Sequence, residues 1–186
     1  MTTASESAAP DPTGSKSAAP HPTQPEPTGR LQDGPLGREL RLERRFQLPI
    51  EEAWAAVTKS ERLEEWIGRW EGDPASGKVT FRMTAEGEEA PPEECLIRDC
   101  RPPHSFAVDT GVGSNVWHLR FELHQEQGTT ELIFAQRASD EALGSVGPGW
   151  EYYLDRLARV LAGADASTVN WDDYYPRLSE HYEQLR

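Results

Sequence analysis

Residues 116–124 alternate without a break. Trp117, Leu119, Phe121 and Leu123 fall on one side, and His118, Arg120, Glu122 and His124 on the other. A period of two belongs to a strand with one buried face; a helix cannot keep that pattern on one side. The same alternation recurs elsewhere. In 40–48, Leu40, Leu42, Phe46 and Leu48 oppose Arg41, Glu43, Arg45 and Gln47, while Arg44 stands in phase with the apolar side. In 78–84, Val79, Phe81 and Met83 oppose Lys78, Thr80 and Arg82. Runs at 93–100, 105–110 and 129–137 complete the set. The first ends at Pro102-Pro103, the second at Gly111-Val112-Gly113, and Gly128 marks the turn into the third. Segments about ten residues apart with short turns between them predict an antiparallel meander.

Other stretches follow helical spacing. Pro49 opens a helix, with Glu51 and Glu52 in its first turn and Ile50, Trp54 and Val57 as its buried stripe. Thr58 and Glu61 fit a capping box for a second short helix that carries Leu63, Trp66 and Ile67 inward and stops at Gly68. A long helix is expected from Pro148 to about Leu161. Trp150, Tyr153, Leu154, Leu157 and Leu161 form its apolar stripe; Glu151, Asp155, Arg156 and Arg159 take the opposite face. Gly163 ends it. Trp171, Tyr174, Leu178, Tyr182 and Leu185 then mark a final amphipathic segment. Strand, two short helices, several antiparallel strands and a long helix make an α+β domain, most economically one curved sheet closed on its apolar face by the long helix.

Composition sets the limits. With 19 Lys+Arg against 32 Asp+Glu, the net charge is −13, which opposes binding to a phosphate backbone; nucleic acid is not an expected partner. No apolar run reaches ten residues, so no membrane-spanning helix is expected. Residues 1–37 hold seven of the fifteen prolines and none of the aromatics, and too little apolar surface to offset the entropy of ordering. They read as a disordered tail without the apolar run of a secretory signal or the Arg-rich character of a transit peptide, which points to a cytoplasmic protein. The expected organisation is this tail, a domain over 38–163 and an amphipathic extension over 164–186.

Four stretches resemble one family. Pro49-Ile50-Glu51-Glu52-Ala53-Trp54-Ala55-Ala56-Val57-Thr58 is similar to the first helix of the START-like helix-grip (SRPBCC) superfamily, in the branch named after the C-terminal domain of the activator of Hsp90 ATPase. Ser60-Glu61-Arg62-Leu63-Glu64-Glu65-Trp66, Asp99-Cys100-Arg101-Pro102-Pro103, and Gly149-Trp150 with Tyr153, Leu154 and Leu157 agree with it. The resemblance covers residues 40 to about 162. It implies a sheet wrapped round the C-terminal helix, a cavity between them for an apolar or aromatic molecule, and contact with a chaperone. Cyclases and hydrolases occur elsewhere in the superfamily.

Candidate site residues follow from the inward-facing positions. Trp66, Trp70, Phe81, Trp117, Phe121, Trp150 and Tyr153 would line such a cavity, and would equally serve as ordinary core. Arg44 must be paired, snorkel to the rim, be turned outward by a bulge, or meet a ligand carboxylate through its bidentate fork. His104, His118 and His124 are available for proton transfer, yet His118 and His124 lie on the polar face of their strand and no acid is placed to complete a triad. Cys95 and Cys100, five apart, point to opposite faces of a regular strand, which opposes a disulfide or a shared metal. Glu86, Glu88, Glu89, Glu93 and Glu94 read as solvated loop charge rather than a metal site. There is no Gly-rich phosphate loop or nucleophile elbow, and no cofactor is expected. The final segment would dock on the domain, cover the cavity mouth or form a homodimer contact. The leading expectation is non-catalytic binding of a small hydrophobic or aromatic molecule. A protein-interaction or co-chaperone module and a cyclase- or hydrolase-type enzyme are the alternatives.

Overall fold

The computed structural model describes residues 24–35, 37–85, 90–112, 115–138 and 143–185. The alternating runs form strands β2 (Gly37–Phe46), β4 (Lys78–Met83), β5 (Glu93–Arg101), β6 (Ser105–Val112), β7 (Asn115–Glu126) and β8 (Thr129–Arg137). Two further strands lie at the edges, β1 (Arg30–Gly34) and β3 (Gly68–Glu71). Together they make one eight-stranded antiparallel sheet in the order β1-β2-β8-β7-β6-β5-β4-β3. The curved sheet presents the predicted apolar rows on a single inner face: Leu42 pairs with Phe134, Phe134 with Phe121, and Phe121 with Phe106.

Helix α1 (Ile50–Thr58) buries Ile50, Ala53, Ala56 and Val57, and Pro49 occupies its N-cap. Helix α2 (Ser60–Leu63) is a single turn capped by Lys59, without a side-chain cap. The expected capping box is absent because Thr58 belongs to α1, where its hydroxyl donates to the Trp54 carbonyl at 2.7 Å. Gly68 opens β3 rather than ending a helix.

Helix α3 (Leu143–Leu161) begins five residues before Pro148, which it contains. Trp150, Tyr153, Leu154 and Leu157 are buried against the sheet, and the Trp150 ring meets Phe134 with centroids 4.1 Å apart. The face expected to be polar is solvated only in part: Glu151 is 1% exposed and Arg156 8%, while Asp155 is half-buried and Arg159 exposed. The C-terminal segment covers it through helix α4 (Ser179–Glu183) and a preceding irregular stretch, burying Tyr174, Leu178 and Tyr182. Gly147 permits the approach, because a Cβ there would stand 2.1 Å from the Tyr182 ring. The final segment therefore docks on α3, and its residues do not line the cavity.

The expected disordered tail is too long. Arg30–Gly34 pairs with Gly37–Arg41 as β1, and Gly29 is buried. Leu31 is the only large apolar residue in this strand, so backbone hydrogen bonding to β2 holds what composition could not show. Residues 1–23 lie outside the described residues.

Candidate functional site

A cavity of about 240 Å³ lies between the inner faces of β4–β7, helices α1 and α2, and Trp150 of α3. Six of the eight expected residues line it: Trp66, Trp70, Phe81, Trp117, Phe121 and Trp150. Aromatic packing stiffens the wall, with Phe106 stacked on Phe121 at 4.8 Å and Trp117 tilted on Trp150 at 6.2 Å. Three indole N–H groups are already spent within the protein. Trp66 Nε1 donates to Ala56 O at 2.9 Å, Trp70 Nε1 to Thr58 O at 2.9 Å, and Trp150 Nε1 to Gln136 Oε1 at 2.5 Å. These tryptophans are held in fixed orientations and offer apolar ring surface to the cavity.

Arg44 and Tyr153 do not line it. Arg44 does point inward, in phase with Leu42 and Phe46, but it meets α3 rather than open space. Its Nη2 donates to Glu151 Oε2 at 2.6 Å and to Asp155 Oδ1 at 2.9 Å. Burial alone would weaken its charge; Asp155 and Glu151 outweigh burial and hold its pKa above the ordinary value. The bidentate fork expected to receive a ligand carboxylate is filled by the protein's own. Tyr153 lies behind the wall, where its hydroxyl donates to Met83 Sδ at 3.2 Å.

The cysteines correct a second expectation. A register shift in β5 between Ile97 and Asp99 adds one residue, so Cys95, Ile97 and Cys100 all face the cavity. Burial, then Asp109 and Glu93, pushes the Cys95 thiol up to about 11; burial and Asp99 raise that of Cys100. Neither is an activated nucleophile.

The histidines lie away from the cavity. His118 Nδ1 sits 2.6 Å from Asp109 Oδ1 on the outer face, and Arg98 Nε donates to Asp109 Oδ2 at 2.6 Å. His124 and His104 are exposed. Of the five clustered glutamates, Glu86, Glu88 and Glu89 lie outside the described residues. Glu94 turns outward to Lys78 at 2.7 Å, and Glu93 turns into the cavity. Among the described residues, no three His, Cys, Asp or Glu side chains gather as a metal site, and no helix is long and apolar enough to cross a membrane.

Sequence reasoning missed Phe106, Val108 and Thr110 as lining, although cross-strand register carries the signal. They pair with Phe121, Leu119 and Trp117, and paired residues share a face.

A curved antiparallel sheet gripping a long C-terminal helix around an apolar cavity defines the START-like helix-grip class. The family model for activator of Hsp90 ATPase homolog 1-like protein matches residues 47–162, and the chain belongs to that family. No curated protein sequence matches the chain. Among solved structures it is similar to CalU16 from Micromonospora echinospora, at 24% identity and a TM-score of 0.67, covering 86% of this chain and 96% of that one. A conserved protein of unknown function, EF2215 from Enterococcus faecalis, is 16% identical with a TM-score of 0.59, covering 84% and 88%. DynU16, a protein of the dynemicin biosynthetic locus, is 20% identical with a TM-score of 0.58, covering 69% of this chain and 49% of that one. At these identities the likeness is one of fold.

Proposed function

We propose that this chain binds a small aromatic or hydrophobic molecule in the cavity between sheet and helix, without transforming it. One observation carries the reading: a cavity of about 240 Å³ walled by aromatic rings whose indole N–H groups are largely committed elsewhere. A cavity of about 150 Å³ admits benzene, so this one has room for a molecule of one or two rings. Among the described lining residues, two raised thiols and a single carboxylate supply no matched acid and base, which favours binding over catalysis.

Native mass spectrometry of gently purified protein, repeated after denaturing extraction, tests the reading. A small co-purifying mass released on denaturation is expected. Trp117→Ala, which removes a half-buried ring from the cavity wall, should lower the bound fraction at least about tenfold while the fold persists. A folded Trp117→Ala variant with unchanged occupancy would place the molecule elsewhere.

A further inference from the structure

We propose that the molecule taken by this cavity carries an N–H or O–H donor, and that Glu93 receives it. This rests on the binding reading and names the chemistry of the ligand. Glu93 is the only side chain with a formal charge among the described lining residues; no Lys or Arg accompanies it there. Its position follows from the strand. Glu93 starts β5 opposite Phe81, and its neighbour Glu94 takes the outward phase and the Lys78 ion pair. Among the described residues, Glu93 has no such cation. The one described partner of its carboxylate is Thr110, whose hydroxyl donates to Oε2 at 3.3 Å.

The other polar lining groups have less to offer. The hydroxyl of Thr58 is spent on the Trp54 carbonyl, that of Thr110 on Glu93 itself, and three of four lining indoles on protein acceptors. Thiols are weak donors and acceptors. A carboxylate has about four lone-pair sites, so Glu93 keeps acceptor capacity that one long hydrogen bond does not use. A half-buried carboxylate beside aromatic walls attracts a donor and opposes an anion, since a second negative charge would find no counter-charge. The ligand class is therefore a small aromatic with an N–H or O–H at one end. A fatty acid or aromatic carboxylate would set its own negative charge beside Glu93 and is expected to bind less tightly than a neutral donor.

Three nine-heavy-atom probes of one shape separate the terms: indole donates, benzofuran only accepts, and indene does neither. Calorimetric titration of the full chain should show indole binding at least about fivefold more tightly than indene or benzofuran, within the range of a hydrogen bond to a partly exposed charge. In Glu93→Leu the preference should vanish while indene affinity stays within about twofold. In Glu93→Gln, whose amide oxygen still accepts, the preference should shrink but persist. Equal binding of all three probes by the native protein overturns the proposal and leaves cavity binding intact, as does a preference unchanged in both variants. Binding of none of them overturns both.

Discussion

Arg44 and Glu151 show how far one side chain's role depends on residues distant in the chain. The Glu151 carboxylate, 1% exposed, accepts from the backbone N–H of Thr28 at 2.5 Å and of Gly29 at 3.1 Å, from the Tyr182 hydroxyl, and from Arg44. Four segments are thereby joined at one carboxylate: the stretch before β1, strand β2, helix α3 and helix α4. Removing the arginine leaves a buried negative charge short of its counter-ion. Arg44→Leu is expected to cost about 3–5 kcal/mol, read as a lower urea midpoint, with no change in probe affinity because Arg44 is not in the cavity. A loss below about 1 kcal/mol would mean that the remaining donors to Glu151 suffice. Sequence showed that Arg44 was out of place on an apolar face. It could not show the answer, because Glu151 and Asp155 lie more than a hundred residues away, on the face of their helix opposite the apolar stripe.

Among the elements, β5 departs most from its sequence pattern. Alternation is a reliable guide to facing only while the register is regular, and the added residue between Ile97 and Asp99 inverts the phase beyond it. Cys100 thereby reaches the cavity wall while remaining exposed, and Cys95 is buried in the same wall. A disulfide-exchange reagent should modify one thiol in the native protein, slowly, and the second only on unfolding. Saturating indole should slow the first reaction several-fold, since thiol access and ligand would share one space. An unchanged rate with bound indole would put Cys100 outside the occupied volume. The sheet's other rows, in β2, β4, β7 and β8, were legible because no bulge interrupts their pairing. The α1–α2 junction was misread for a local reason: Thr58 is the last residue of α1 and Lys59 takes the cap of α2, so the Thr58 hydroxyl donates back to the Trp54 carbonyl instead of accepting an N–H of α2.

At the scale of the whole molecule, the C-terminal segment closes the fold through two buried phenols. Burial, reinforced by the Glu151 charge, raises the pKa of Tyr182; burial, then the hydrogen bond to Asp155, raises that of Tyr174. A tyrosine in the unfolded chain titrates near 10, so above that pH the unfolded state loses protons that the folded state keeps. The stabilising difference is full below pH 10 and is lost as pH rises beyond it, at about 1.4 kcal/mol per unit for each tyrosine. Urea midpoints should therefore fall between pH 10 and 11; the Cys95 thiol, pushed up to about 11, adds to the fall over the same interval, so Tyr182→Phe should remove about a third of the slope. A flat midpoint across that interval would mean these phenols ionise as readily folded as unfolded. The sequence alone determined the α+β class, the inner rows of the sheet, the long gripping helix and six of the cavity's residues. Periodicity encodes these, because a side chain's direction along a strand or helix is a local property of the backbone. Only the tertiary structure decided the partner of Arg44, the facing of Cys100, the covering of the polar side of α3, the pairing of β1 and the exposure of Glu93 to the cavity. Each of these depends on register and on contacts between distant segments, where the free energy of a buried charge is set by whichever partner the fold brings to it.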